Sequence, residues 1–267
     1  ARFEREVVEM TADLLHGARA VGSISSGGSE SILLGVKSAR DRARELRPDV
    51  TAPEMVMPES AHPAFWKAAQ LFGLSVVSTP LTKDGVVDLP AFHAALNDNT
   101  VLMVGSAPST VLGMVDPIPD MAAVAMERNI SFHVDACVGG FFLPFAEKLG
   151  NPVVPWDFRV PGVTTISADL HKFGYTAKGA SVILSRDPEI HSYQVFEFGP
   201  PLRPTGYYDT PTIAGTRPGG AIAAAWSVLN YLGEDGYLRL VDQTLRYIRR
   251  FQDRINAIEG LAALGKP

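Results

Sequence analysis

The sequence has few of the features that mark several classes of protein. Its 267 residues include one cysteine, Cys137, which excludes a disulfide within the chain and any zinc or iron–sulfur site with several thiolate ligands. A single cysteine also favours a reducing, cytoplasmic setting. The formal net charge is −5 and no polybasic run occurs, so nucleic acids and anionic membranes are not expected as partners.

Long apolar runs are missing as well. The longest, 136–146 and 219–232, are too short or too interrupted by glycine for a membrane span of roughly 20 apolar residues. The first six residues carry acids and no apolar signal core. We therefore expect no membrane segment within these residues, while an anchor in a longer parent protein stays open.

Several catalytic and nucleotide-binding motifs are absent too. The chain contains no G-x-G-x-x-G, no P-loop G-K-[ST] and no G-x-S-x-G nucleophile elbow. The histidines and acids show no spacing typical of a metal site, so we expect no metal. The chemistry must therefore come from other residues.

Helical and strand-like patterns alternate along the chain, which is 46% hydrophobic and fits one large domain with a substantial core. The patterns predict helices over about 3–14, 30–46, 62–72, 89–96, 119–128, 221–232 and 235–258, and strands over 54–57, 74–78, 100–105, 130–135, 164–168 and 180–184. A helix between two apolar β-rich runs, as in 100–135, is typical of a parallel sheet covered on both faces.

Lys172 lies between a short β-like segment and a glycine-containing turn, within the run Ser167 to Tyr175. An amine held there could react with a cofactor aldehyde, which makes Lys172 a candidate Schiff-base lysine. The same pattern also occurs on ordinary surfaces. The interpretation therefore depends on motifs elsewhere in the chain.

The glycine-serine run 25–31 opens a helix, so its backbone N–H groups and the helix dipole could bind a phosphate. A simple helix N-cap is the alternative. Asp135 ends a predicted strand, where it could hold a pyridinium nitrogen or merely cap the next segment. His62 could stack on a flat cofactor ring, or act as a cap or surface group.

Two further groups of residues have open roles. Tyr175 could transfer a proton and Lys178 could stabilise an oxyanion or a substrate phosphate, although both also suit an ordinary loop. The run 212–220 is a second small-residue loop before a helix and a candidate anion clamp. Its Arg217 could instead be a structural ion-pair partner.

Together, these motifs resemble the pyridoxal-phosphate enzymes of fold type I, in particular the sphingosine-1-phosphate lyases of the group II decarboxylase branch. The resemblance is carried by 26–31, His62, 133–141 and 169–179. It implies the large domain of that fold, an α/β structure with a mostly parallel seven-stranded sheet between helices. It also implies a cofactor-binding domain over 1–259, which includes the long helix leading out of it, and the truncated start of a C-terminal small domain over 260–267.

The resemblance also implies roles for individual residues. Lys172 would bind pyridoxal 5'-phosphate covalently, Asp135 would pair with its ring nitrogen and His62 would stack on it. The phosphate-binding residues would be Gly28, Ser29 and His171, with Gly215 and Thr216 reaching it from the neighbouring subunit of a homodimer.

The implied reaction is retro-aldol cleavage of a phosphorylated sphingoid base to a long-chain aldehyde and phosphoethanolamine. Lyases of this family carry a second lysine after an aromatic and two small residues, matched here by Tyr175 and Lys178. Both are therefore candidate catalytic residues alongside Lys172. A glutamate, aspartate or aromatic amino-acid decarboxylase is the alternative, and a non-catalytic binding protein is a third hypothesis.

Overall fold

The computed structural model describes residues 2–200 and 206–265 and contains a seven-stranded sheet. Its strands are β1 (Val21–Ser25), β2 (Glu54–Pro58), β3 (Ser75–Thr79), β4 (Thr100–Ser106), β5 (Ser131–Asp135), β6 (Thr165–Ala168) and β7 (Ser181–Ser185), in the spatial order β1-β7-β6-β5-β4-β2-β3. Strands β2 to β6 pair in parallel, whereas β7 is antiparallel to both of its neighbours. The predicted mostly parallel sheet is confirmed.

Helices cover both faces of this sheet. They are α1 (Arg2–Leu14), α2 (Gly28–Leu46), α3 (Ala64–Phe72), α4 (Leu89–Ala95), α5 (Ile118–Glu127), α6 (Leu143–Lys148), α7 (Pro188–Ser192) and α8 (Gly219–Asn256). One apolar core, around Phe65 and Leu102, lies under α2 and α3. The other, around Phe132 and Trp156, lies under α1, α5 and α8. Among the described residues, no helix is long and apolar enough to cross a membrane.

The sequence patterns did not predict every element. Strand β1 is short, contains Gly22 and pairs with β7 across the chain, so its apolar pattern is too brief to identify locally. The hairpin of β8 (Phe196–Phe198) and β9 (Tyr208–Thr210) was also missed. Its side chains are mostly exposed and show no burial pattern. The helices α6 and α7 were also missed because, like β1, they are too short to show a clear pattern.

The two predicted C-terminal helices are present and adjoin at a kink at Gly233; together they make up α8. Gly233 has φ 55° and ψ −173°, a backbone conformation open mainly to glycine. The predicted break is therefore a sharp change of direction without a loop. Residues 260–265 form no helix or strand, and 266–267 of the predicted second domain lie outside the described residues.

Candidate active site

The carboxyl ends of three strands meet at one edge of the sheet. Strands β1, β5 and β6 end at Ser25, Asp135 and Ala168, and they run in the same direction because β7 is antiparallel to both β1 and β6. Open α/β sheets bind ligands at this edge. The segments that follow these strands carry most of the residues predicted from the sequence.

A cavity of about 320 Å³ lies at this edge. It is lined by Ser26, Gly27, Gly28, Ser29, Glu30, Ile32, His62, Cys137, Asp169, His171 and Lys172. Five predicted site residues, Gly28, Ser29, His62, His171 and Lys172, therefore share one cavity although they are up to 144 positions apart, from 28 to 172.

The amine of Lys172 forms an ion pair within the cavity. Its Nζ lies 3.0 Å from Oδ2 of Asp169, a side chain that is almost fully buried. Burial alone would lower the pKa of Lys172, but the charge and hydrogen bond of Asp169, together with the smaller effects of Cys137 and Asp135, raise it above its usual value. The other oxygen of Asp169, Oδ1, is buried without a hydrogen-bond partner among the described residues. Sequence reasoning gave Asp169 no role; only its position three residues before Lys172 pointed to it.

His171 is held in one tautomer between the backbone and the same carboxylate. The N–H of Ala180 donates to its Nδ1 over 3.3 Å, so the proton of the neutral ring lies on Nε2. Nε2 is 3.5 Å from Oδ2 of Asp169. Burial lowers the pKa of His171, and the charges of Lys178 and Lys172 lower it further against the opposing effect of Asp169. The ring is therefore a neutral donor at pH 7.

The glycine-serine run wraps the first turn of α2. The N–H groups of Gly28, Ser29 and Glu30 donate to no other described residue, as is usual for the start of a helix. A Cβ at Gly28 would lie 2.8 Å from both carboxylate oxygens of Asp169, so only glycine fits there. Glu30 accepts the N–H of Ser26 over 2.7 Å and fixes the run. Three donors thus remain beside the cavity.

Asp135 lies behind the cavity wall, next to Cys137. Its Oδ1 accepts the N–H of Cys137 over 3.0 Å and the hydroxyl of Ser167 over 3.3 Å. Its Oδ2 has no hydrogen-bond partner within 2–200 or 206–265. The carboxylate therefore caps the segment that follows β5 and keeps one oxygen available for a ligand.

His62 lies both at the start of α3 and in the cavity lining, while its stacking on a cofactor ring stays a prediction. Its Nδ1 accepts the N–H of Ala64 over 3.1 Å, so the residue caps α3, which begins two residues later than predicted. The same ring lines the cavity. Capping fixes the position of the ring without removing it from the site.

Residues 2–261 match the model of the pyridoxal-dependent decarboxylase conserved domain. The chain belongs to the pyridoxal-dependent decarboxylase family. It is 45% identical over 276 residues to the sphingosine-1-phosphate lyase of Oryza sativa subsp. japonica, covering 100% of this chain and 50% of that protein. A probable L-aspartate decarboxylase of Pyrococcus furiosus is 37% identical, with 100% and 70% covered.

A solved structure supports the same assignment. The Burkholderia pseudomallei sphingosine-1-phosphate lyase matches with a TM-score of 0.95 and 42% identity, covering 100% of this chain and 62% of that one. The fold is therefore that of a fold type I decarboxylase domain. The chain spans about half the length of the curated lyases that it matches.

The cavity of this decarboxylase-family chain fits pyridoxal phosphate, the cofactor of the family. The unpaired N–H groups at the start of α2 suit a phosphate, and the amine of Lys172 suits the aldehyde. The open Oδ2 of Asp135 suits a protonated ring nitrogen. A buried carboxylate oxygen without a donor, Oδ1 of Asp169, is a further sign of a site built for a ligand.

Besides Asp135, four predicted residues of this decarboxylase-family chain do not line the cavity. Tyr175 is 41% exposed and meets Phe173 edge-on, with ring centroids 6.3 Å apart. Lys178 is exposed and acts on His171 only through its charge. Gly215 and Thr216 lie in an exposed loop. None of these four residues bonds to the amine of Lys172 in the structure of one chain, although the backbone N–H of Tyr175 donates to the carbonyl of Lys172 over 3.0 Å.

The loop that contains Gly215 and Thr216 is nevertheless tied to the cavity. The N–H of Ile213 donates to Oε1 of Glu30 over 3.0 Å. Arg217 forms an ion pair with Glu4 in α1, with a second contact of 3.0 Å, and also donates to the backbone of β1. Arg217 thus has the structural ion-pair role considered for it.

Proposed function

We propose that the intact protein is a pyridoxal-phosphate-dependent lyase that cleaves sphingosine 1-phosphate or a related phosphorylated long-chain base. The products would be a long-chain aldehyde and phosphoethanolamine. The observation that carries the proposal is the amine of Lys172, which shares one cavity with the unpaired N–H groups of α2. The rice and Burkholderia relatives named for this activity, at 45% and 42% identity, support the substrate class.

The cofactor supplies an electron sink for the bond that breaks. In our proposal Lys172 anchors it covalently, and Gly28, Ser29 and His171 bind its phosphate. The neutral Nε2–H of His171 is a suitable donor to a phosphate oxygen. His62 would pack against the ring, as its capping contact with α3 already fixes the imidazole at the cavity.

The last proposed contact joins Asp135 to the nitrogen of the cofactor ring. Oδ2 of Asp135, the oxygen that is not used by Cys137 and Ser167, would accept a hydrogen bond from the protonated ring nitrogen. An ionised carboxylate there keeps the nitrogen protonated and strengthens the electron sink. Asp135 lies behind the lining residues in this structure, so the proposal requires the ring to reach past Cys137.

We assign proton handling and phosphate recognition jointly to Tyr175 and Lys178. Both follow Lys172 in the same turn, and Lys178 already acts electrostatically on His171. A cationic amine whose charge reaches a residue of the cavity lining suits a phosphorylated substrate. Which of the two residues has which role is tested with separate Tyr175→Phe and Lys178→Gln variants, whose kcat and KM are measured.

The proposal includes a cytoplasmic homodimer with shared active sites. Gly215 and Thr216 are exposed and lie off the cavity of their own chain, which leaves them free to reach a neighbouring subunit. The hairpin β8–β9 beside them exposes Phe196 and Tyr208, as an interface would. The buried, unpaired Cys137 supports a reducing compartment.

An amino-acid decarboxylase is the second candidate, favoured by the Pyrococcus furiosus relative at 37% identity. The two candidates differ in products. The purified intact protein is incubated with sphingosine 1-phosphate and, separately, with glutamate, aspartate and aromatic amino acids. Aldehyde release with no carbon dioxide supports the lyase, and the opposite result supports the decarboxylase. A visible cofactor band that persists in Lys172→Ala would contradict both, because it would place the anchor elsewhere.

A further inference from the structure

We propose that His133, acting through Ser167, is a positioning residue that orients Asp135 toward the nitrogen of the cofactor ring. The inference rests on the cofactor role of Asp135 proposed above. It adds two residues to the site that the family resemblance did not assign. Neither residue lines the cavity, so both would act only through Asp135.

The register of two neighbouring strands places these side chains in one polar stripe. His133 pairs with Thr165 and Asp135 with Ser167 across the parallel strands β5 and β6. Alternation along each strand puts all four side chains on the same face of the sheet. That face lies under α2, where the absence of a side chain at Gly35 makes room for the His133 ring, since a Cβ there would be 2.8 Å from Nδ1.

The contacts within the stripe form an unbroken chain. Nδ1 of His133 lies 2.8 Å from Oγ1 of Thr165, and Nε2 lies 3.1 Å from Oγ of Ser167. The hydroxyl of Ser167 in turn donates to Oδ1 of Asp135 over 3.3 Å. Polar groups buried in a sheet core destabilise the fold unless they are paired, and here each has a partner.

The direction of the hydrogen bonds follows from the protonation states. Burial lowers the pKa of His133 to about 4, against the smaller effect of Asp135, so the ring is neutral and carries one proton. Burial also raises the pKa of the Cys137 thiol, which stays protonated and donates to Oγ of Ser167 over 3.3 Å.

Ser167 therefore has one arrangement that satisfies every partner. Its oxygen accepts from Cys137 and from Nε2–H of His133, and its single proton is left for Asp135. Thr165 then donates to Nδ1 of His133. The stripe holds Oδ1 of Asp135 with a fixed donor and leaves Oδ2 to face a ligand.

The test uses the intact protein, stripped of cofactor and titrated with two ligands. One is pyridoxal phosphate, and the other is its deaza analogue, which has carbon in place of the ring nitrogen. The analogue keeps the phosphate, the aldehyde and the shape of the ring but cannot pair with Asp135. Dissociation constants are measured from the visible absorbance of the bound ligand.

We expect Ser167→Ala and His133→Leu to weaken the binding of pyridoxal phosphate by about tenfold, which is the effect expected for one hydrogen bond to a charged group. Binding of the deaza analogue should change less than about twofold. His133→Gln keeps an N–H at the place of Nε2 and should restore most of the lost affinity. Ser185→Ala removes a buried serine hydroxyl at the far end of β7 and serves as the control for a neutral core change.

An equal loss of affinity for both ligands would overturn the proposal, because it would indicate a general loosening of the core that does not depend on the ring nitrogen. Unchanged affinities in Ser167→Ala and His133→Leu would overturn it as well. If His133→Leu fails to fold, Ser167→Ala and His133→Gln still decide the outcome. Failure of the unsubstituted protein to bind pyridoxal phosphate at all would instead refute the proposed function, and the inference with it.

Discussion

At the scale of single residues, Asp169 contributes to the raised pKa of Lys172. The two side chains are 3.0 Å apart, and Asp169 also lies 3.5 Å from Nε2 of His171. One buried carboxylate thus faces the side chains of both His171 and Lys172. Oδ2 of Asp169 faces both Lys172 and His171, while Oδ1 has no hydrogen-bond partner among the described residues.

Asp169→Asn should lower the pKa of Lys172. With the carboxylate removed, burial becomes the dominant effect on the amine and favours its neutral form. The measurement is the pH dependence of labelling of Lys172 by an amine-reactive reagent in the cofactor-free intact protein, followed by peptide mass spectrometry. The midpoint should move to lower pH. Glu234→Gln, which removes the exposed partner of Lys148, is the control, and an unmoved midpoint in Asp169→Asn would refute the electrostatic argument.

Gly28→Ala should abolish cofactor binding while the fold is kept. The new Cβ would lie 2.8 Å from the Asp169 carboxylate and 2.9 Å from Sγ of Cys137, so the carboxylate and its ion pair with Lys172 must move. Spectrophotometric titration with pyridoxal phosphate measures the loss, and circular dichroism checks the fold. Gly220→Ala, at a helical position with nothing within 4 Å, should bind normally. Wild-type affinity in Gly28→Ala would mean that the loop can relax around a methyl group.

At the scale of elements, local patterns and distant pairing differ in how well they can be predicted. The buried strand β4 carries a continuous apolar run over 101–104, β5 alternates apolar and polar residues, and α2 carries a long helical pattern, so these elements follow from the sequence. Strand β1 becomes a strand only by pairing with β7, more than 150 residues away. Its five residues hold no pattern that would reveal this partner.

The same division applies to the site. His62 and Lys172 follow predicted strands, so the rule that parallel strands bind ligands at their carboxyl edge brings them together from sequence alone, whereas Gly28 follows β1, which the sequence patterns did not predict. The role of Asp169 depends on an approach of 3.0 Å that spacing does not encode. Tyr175 was expected at the site, but in the structure it is 41% exposed and packs with neighbouring rings.

Helix α8 contributes an unpredicted contact to the lysine turn. The hydroxyl of Tyr237 donates to the carbonyl of Gly174 over 2.8 Å, and its ring stacks on Phe145 at 4.9 Å. Gly174 itself leaves no space for a side chain, since a Cβ would meet the backbone of Leu170 at 2.4 Å. A long helix outside the sheet thus fixes the shape of the turn that follows Lys172.

Tyr237→Phe should lower the free energy of unfolding by about 1 to 3 kcal/mol, because a buried carbonyl loses its donor. Cofactor release should also become faster, since the turn that carries Lys172 gains freedom. Thermal unfolding and stopped-flow absorbance of the intact protein measure the two effects. Tyr231→Phe is the matched control on the same helix, with a side chain that is 89% exposed. Equal behaviour of the two variants would exclude a role for the Tyr237 hydroxyl.

At the scale of the whole molecule, two buried groups act in opposite directions on stability in acid. Burial lowers the pKa of His133 from 6.5 to about 4, so the unfolded chain binds more protons between these values and stability rises with pH there. Burial raises the pKa of Asp116 from 3.8 to about 6, against its hydrogen bonds from Ser106 and Val87. The folded chain then binds more protons across that window, and stability falls as pH rises. Between pH 4 and 6 the two contributions oppose each other.

Asp116→Asn should therefore make the thermal midpoint rise more steeply with pH than in the unsubstituted protein between about pH 4 and 6. The variant will be less stable at every pH, because Asn cannot accept both backbone N–H groups that Asp116 binds over 2.8 and 3.1 Å. The informative quantity is the slope of its thermal midpoint against pH, since the effect of His133 on stability is then no longer opposed by that of Asp116. His133→Gln should change the slope in the opposite direction. Parallel pH profiles in all three proteins would contradict this assignment, because they would mean that neither buried group changes its proton occupancy on unfolding.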